Sequence, residues 1–127
     1  MIMNVDELNK ISERIINAAY KVSNTLGVGF LEKVYENALA HQLIRDGMRI
    51  EQQRPIEVYY DDVVVGEYFA DLIVEESVIV ELKASKRIED VYLAQTLNYL
   101  KATGLKLGLI INFGKPRVEI KRVVNKL

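Results

Sequence analysis

The chain has no cysteine, no tryptophan and only one histidine, His41, among its 127 residues. The absence of cysteine excludes disulfides, thiolate metal sites, cysteine nucleophiles and thiol redox chemistry. A single histidine excludes a multi-histidine zinc site and disfavours a histidine-based catalytic triad. Several large classes of enzyme are therefore excluded before any motif is considered.

The sequence also lacks a membrane signal. No apolar run approaches the roughly 20 residues that a membrane-spanning helix needs. Residues 1–7 lack the basic start and apolar run of a signal peptide. Half of the residues are hydrophobic and 28% are charged, which is typical of a soluble globular protein. We therefore expect a single domain over residues 1–127, a cytoplasmic location and no membrane partner.

Positive charge is concentrated at the end of the chain. Residues 101–127 contain seven basic side chains and one acidic one, whereas residues 1–100 contain ten basic and seventeen acidic ones. The basic set comprises Lys101, Lys106, Lys115, Arg117, Lys121, Arg122 and Lys126. Such asymmetry can mark a surface for a polyanion. The alternative is a solvated rim of lysines that keeps an edge strand from pairing with another sheet.

Hydrophobic periodicity predicts two helices, three strands, a third helix and two further strands. The predicted helices cover residues 5–25, 30–46 and 89–102, and Asn4 with Glu7 resembles a capping box before the first. The predicted strands cover residues 56–60, 63–74, 77–82, 105–112 and 117–124. A strand–helix–strand crossover implies parallel neighbours. The expected class is therefore α/β, with a mixed central sheet flanked by helices.

Three charged residues interrupt apolar strands in the middle of the chain: Asp71 in the second strand, and Glu81 and Lys83 in the third. A buried charge is costly without a partner, a metal or water. If residues 75–77 form the loop, the numbers of facing residues sum to 152, and Asp71 lies opposite Glu81. A two-residue loop would instead pair Asp71 with Val80 and separate the carboxylates. We favour the first register because it collects all three charges at one place.

Two carboxylates opposite each other on adjacent strands are well spaced for one hard cation. Their Cβ atoms would lie about 4.5–5.5 Å apart. Mg²⁺ needs only one or two carboxylates in addition to waters and a substrate phosphate. Lys83, on the same face as Glu81, would orient or activate the attacking water or stabilise charge that develops on the phosphorane. The alternative interpretation is an ion pair at a sheet margin.

These residues resemble the motif of the PD-(D/E)XK nuclease superfamily: Asp71, then Glu81-Leu82-Lys83, with Ala70 in place of the proline. Residues 29–35, Gly-Phe-Leu-Glu-Lys-Val-Tyr, resemble the signature of the GxxExxY proteins, a bacterial and archaeal family within that superfamily, as do residues 109–114. Residues 94–100 contain the Gln-x-x-x-Tyr pattern of RecB-like and phage-exonuclease-like nucleases. The resemblance extends from about residue 11 to residue 122.

The resemblance implies a restriction-endonuclease-like core with the order αβββαβ, a divalent metal, Mg²⁺ or Mn²⁺, and hydrolysis of phosphodiester bonds. Within it, Asp71 and Glu81 are the expected metal ligands, Glu32 is a further ligand or water holder, and Lys83 positions the water. Glu32 would face the strands from the second helix. Its alternative is a surface acid in the first turn, where the helix dipole favours it.

The third helix supplies two further candidates, Gln95 and Tyr99. They are four residues apart and therefore share a helical face. An amide and a phenol on that face would position a phosphate or a metal-bound water. The alternative is an ordinary polar helix margin, since Gln-x-x-x-Tyr also arises by chance.

The leading hypothesis is a metal-dependent nuclease that acts on DNA or RNA, with the basic C-terminal segment holding the nucleic-acid backbone. A second hypothesis is a catalytically silent module that keeps the fold and binds nucleic acid or protein. A third is a phosphoesterase for a small nucleotide, which would need a pocket closed on all sides instead of an open groove. Sequence specificity is expected to come from a homodimer or a partner protein.

Overall fold

The computed structural model describes residues 3–127. Over these residues, three helices and five strands occur in the order α1, α2, β1, β2, β3, α3, β4, β5, as predicted. Their bounds are α1 Val5–Leu26, α2 Glu32–Arg45, β1 Ile50–Tyr60, β2 Val63–Val74, β3 Val78–Lys83, α3 Asp90–Thr103, β4 Leu107–Asn112 and β5 Glu119–Val124. The strands form one mixed sheet in sequence order, parallel between β3 and β4 and antiparallel elsewhere. The α/β prediction is confirmed.

Helix α1 is set by local sequence. Asn4 caps its start, because the Asn4 side chain accepts a hydrogen bond from the Glu7 backbone N–H at 2.8 Å. Gly27, with φ +69°, ends it. Between them, buried residues recur at helical spacing, from Leu8 to Val22. Across residues 3–127, none of the helices has the length and apolar character needed to span a bilayer.

The two faces of the sheet carry separate hydrophobic clusters. The larger lies under α1 and α2 and includes Leu39, Leu72 and Leu82. The smaller lies under α3 and includes Ile79 and Ile110. Successive strand side chains point to opposite faces, so β3 contributes Leu82 to one cluster and Ile79 to the other. The helices thus sandwich the sheet.

Strand β1 is longer than predicted. It begins at Ile50 and not at residue 56, because residues 50–52 and 54 pair with residues 72–74 and 70 of β2. These first residues are largely polar, and the sheet tolerates them because β1 is an edge strand. The distal half of β1 and β2 forms a two-stranded arm closed by Asp61 and Asp62. Both residues have positive φ, as tight hairpin turns require.

The hairpin between β2 and β3 has the predicted register. Val74 faces Val78, and the numbers of facing residues sum to 152. Residues 75–77 form the loop, in which Glu75 and Glu76 adopt φ of +53° and +54°. Neither residue type favours this conformation. The register is therefore set by the apolar residues of the two strands.

The basic residues of the C-terminal segment are divided between the two faces of the sheet. On β5, Arg122 donates a hydrogen bond of 2.8 Å to Asn9 of α1. Lys121 lies on the other face with Val123, which belongs to the cluster under α3. Because β5 is the second edge strand, this division favours the interpretation of an edge protected by positive charge.

Candidate active site

Asp71 and Glu81 meet where the regular pairing of β2 and β3 ends. The last ladder pair is Leu72 with Val80, and Asp71 and Glu81 come next in the same register. Here the carboxylates replace ladder hydrogen bonds. The Asp71 N–H donates to Glu81 Oε2 at 2.8 Å, and the Leu82 N–H donates to Asp71 Oδ2 at 2.9 Å. The structure thus brings the two acids together.

Burial makes this pair electrostatically unfavourable when both carboxyls are ionised. The side chain of Glu81 is only 5% exposed. Burial, and then the charge of Asp71, raises the pKa of Glu81 to about 8. Burial also raises the pKa of Asp71, although the hydrogen bond from the Leu82 backbone opposes it. A bound cation would relieve the repulsion between the two carboxylates.

Helix α2 contributes Glu36 to this cluster, and not Glu32. Glu36 is buried, and its negative charge raises the pKa of both Asp71 and Glu81. Glu32 is exposed in the first turn, because the buried stripe of α2 begins one turn later. The expected placement of Glu32 among the acids is therefore corrected to Glu36. The signal was in the sequence, since Glu36 lies between the core residues of that stripe.

Gln53 joins Glu36 to Asp71. Its Nε2 lies 2.8 Å from Glu36 Oε1 and 3.2 Å from Asp71 Oδ1. The register of β1 with β2 places Gln53 opposite Asp71, and its φ is +53°, which is uncommon for a residue other than glycine. This conformation breaks the alternation of the strand. As a result Gln52 also reaches Glu36, at 2.9 Å. No pattern in the sequence predicts either contact.

Lys83 lies close enough to the acids to act on them. Strand alternation puts it on the face of Glu81, and its charge lowers the pKa of both Asp71 and Glu81. Its Nζ lies 4.3 Å from the ring centroid of Tyr92 in α3. This cation–π contact orients the ammonium group. The predicted gathering of Asp71, Glu81 and Lys83 is present, and Tyr92 is an unforeseen member.

The two motif residues of α3 occupy different places. Tyr99 is buried beside the acids. Burial, and then the charge of Glu81, raises the pKa of Tyr99 to about 12. Gln95, one turn earlier, is half-buried and lines a groove that Tyr99 also borders. The structure therefore sets Tyr99 against the acids and Gln95 on the wall of the adjoining groove.

Asn112 holds the chain that follows Lys83. It is fully buried at the end of β4. Its Oδ1 accepts hydrogen bonds from the backbone N–H groups of Ser85 and Gly114, at 3.0 and 2.9 Å, and its Nδ2 donates to the Ser85 carbonyl at 2.9 Å. A Cβ at Gly114 would collide with the Ser85 backbone. The loop after β3 is thus packed against the end of β4.

The donor set of this site fits a hard divalent cation. Asp71, Glu81 and Glu36 offer carboxylate oxygens, the ligands that Mg²⁺ and Mn²⁺ prefer. Over residues 3–127, no three His, Cys, Asp or Glu side chains already converge in a metal-holding arrangement. The carboxylates here are turned onto backbone and glutamine N–H groups instead. A bound cation would compensate the buried negative charge of these carboxylates.

Comparisons with known proteins place the chain within a family. A family model described as the PD-(D/E)XK nuclease superfamily matches residues 9–123. The fold is similar to that of an alkaline exonuclease (LHK-Exo) from Laribacter hongkongensis, with a TM-score of 0.57 and 13% sequence identity over 99% of this chain and 73% of that chain. No curated protein matches the chain in sequence.

Proposed function

We propose that this chain, which belongs to the PD-(D/E)XK nuclease superfamily, hydrolyses phosphodiester bonds of DNA or RNA with Mg²⁺ or Mn²⁺. The observation that carries the proposal is the convergence of Asp71, Glu81 and Lys83 at the end of the β2–β3 ladder. Within the superfamily we assign the chain to the GxxExxY proteins, on the strength of residues 29–35.

In this proposal the carboxylates of Asp71, Glu81 and Glu36 hold the cation. When bound, the cation polarises a phosphate oxygen and lowers the pKa of a water molecule. Lys83, held over Tyr92, orients the attacking water and stabilises negative charge that develops on the phosphate. Gln53 keeps Glu36 and Asp71 aligned through its amide.

A cleavage assay on single- and double-stranded DNA and RNA, with Mg²⁺, Mn²⁺ or EDTA, tests the proposal. We expect cleavage only with metal. Glu81→Ala should abolish both cleavage and the rise in melting temperature that metal produces. Lys83→Ala should slow cleavage by about 10²–10³-fold, because one preorganised transition-state contact is lost. It should keep the metal effect on melting, since a protonated lysine cannot ligate a metal.

Lys86→Ala is the matched control, since Lys86 is an exposed lysine in the loop that follows β3. A large fall in melting temperature for Lys83→Ala, with cleavage retained, would identify Lys83 as an ion-pair partner and contradict its catalytic role. If the wild type binds nucleic acid but cleaves no substrate with either metal, the protein is a silent binding module instead.

A further inference from the structure

A groove of about 630 Å³ adjoins the acidic site on the face covered by α3. One wall is a stripe of α3 that begins at Val91 and ends at Ala102, with lining residues at helical spacing. The other wall is the β1–β2 arm, which contributes Tyr59 and Tyr68. Tyr99 lies between the groove and the acids. The groove and the acidic site are therefore neighbours that share Tyr99.

The tyrosines of the arm leave aromatic surface uncovered. Tyr59 is 60% exposed and Tyr68 is 47% exposed, and both border the groove. The ring of Tyr68 is tilted against that of Tyr99, with 5.7 Å between centroids, so its orientation is fixed. Exposed aromatic faces beside a groove are suited to stacking on nucleobases, because every base has a π-face.

The α3 wall offers the polar chemistry that a nucleotide needs. Gln95 and Asn98 present amides that can both donate and accept hydrogen bonds, as base edges require. Lys101, in the last turn of α3, is exposed and supplies a cation for a phosphate. The positive charge of the groove is thus on the helix side.

The arm wall is negatively charged, and this decides which form of nucleic acid fits. Glu57 lines the groove, lies opposite Glu67 in the strand register and accepts a hydrogen bond from the Tyr59 hydroxyl. A duplex keeps its bases stacked inside and would present phosphates to these acids. An unpaired strand can turn its bases toward the tyrosines while its phosphates lie near Lys101.

We propose that this groove binds the unpaired bases of a single-stranded nucleic acid and leads the strand to Asp71 and Glu81. The inference rests on the proposed nuclease function and specifies its substrate as a single strand or a single-stranded end. DNA and RNA share the chemistry involved, because stacking uses the base and not the 2′-hydroxyl.

Fluorescence anisotropy with labelled single-stranded DNA, single-stranded RNA and a blunt duplex tests the inference, with EDTA present to prevent metal-dependent cleavage. We expect tighter binding of both single strands than of the duplex. Tyr59→Ala should weaken single-strand binding by about 5- to 150-fold, the loss of one stacked base. Tyr59→Phe should keep the affinity because the ring remains. Tyr60→Ala is the control: Tyr60 is 70% exposed and adjacent, but it does not line the groove.

Equal binding by Tyr59→Ala, Tyr60→Ala and the wild type would overturn the inference, as would tighter binding of the duplex. If Tyr59→Ala weakened the binding of single-stranded DNA alone or of single-stranded RNA alone, the shared stacking mode would be overturned. The two proposals fail separately. Cleavage by a protein whose Tyr59→Ala variant binds normally overturns the groove alone, whereas Tyr59-dependent binding by a protein that cleaves nothing overturns the nuclease function alone.

Discussion

On one face of the sheet, α1 and α2 together cover an apolar surface, and buried residues such as Ile15 and Leu39 fill the space between. On the other face α3 alone covers a smaller apolar surface, beside which lie the groove and Lys83. The difference separates two tasks. The closed face holds the strands in place, and the open face leaves room for a substrate beside their charged ends.

Leu39→Ala should have the largest effect on stability. Leu39 is fully buried in the closed face, and removal of such a side chain costs about 2–5 kcal/mol in the free energy of unfolding. Ile44→Ala on the same helix is the control, because Ile44 is 60% exposed and should change stability by no more than about 0.5 kcal/mol. Urea denaturation measures both. Equal losses would contradict the assignment of this face as the stabilising one.

The second prediction concerns the acids beside the open face in metal-free protein. Because the pKa of Glu81 is raised from 4.5 to about 8, the folded chain binds this proton more tightly than the unfolded chain. The contribution of Glu81 to stability is therefore greatest below pH 4.5 and is lost as pH rises toward 8, by an amount on the order of a few kcal/mol. Denaturation in EDTA from pH 5 to 8 measures the slope.

Glu81→Gln is the matched variant for this pH series, because it removes the titrating group and keeps an oxygen acceptor for the Asp71 N–H. Its stability should depend less on pH than that of the wild type. If the free energy of unfolding of the two proteins changed with pH by the same amount, ionisation of Glu81 would not destabilise the fold. The prediction would then be wrong.

A small change in stability is expected for Gln53→Gly, which removes the amide that bonds Glu36 and Asp71. Glycine adopts positive φ freely, so relief of backbone strain should offset the lost hydrogen bonds to within about 1 kcal/mol. Loss of the amide should still weaken metal binding by about 10–100-fold. Isothermal titration with Mn²⁺ measures this. Unchanged affinity would show that Gln53 does not position the acids.

The predictions from sequence that the structure confirms rest on short-range patterns. The cap at Asn4 and the periodicity of α1 are local. The facing of Asp71 and Glu81 follows from the loop length and the apolar residues of β2 and β3, because a one-residue slip would turn every side chain to the other face. Where neighbours along the chain determine the geometry, the sequence alone was sufficient to predict it.

The features that sequence did not predict depend on distant partners. Strand β1 starts early because its polar residues pair with β2, and polar runs carry no strand signal. Glu36 lies in a stripe of α2 that the sequence shows, but the packing of α2 against the sheet is what brings Glu36, and not Glu32, to the acids. The left-handed conformation of Gln53 has no pattern in the sequence, since the partners of its amide, Glu36 and Asp71, lie 17 and 18 residues away along the chain.

Gly114 limits how this sequence can vary over evolutionary time. Any side chain there would displace the backbone at Ser85, two residues after Lys83. Gly114 is therefore restricted by the space that the Ser85 backbone leaves, although glycine has no functional group. Exposed apolar positions such as Ile44 are free to drift. We therefore expect few permitted substitutions just after β4 as well as at the acids, although Gly114 touches no reacting atom.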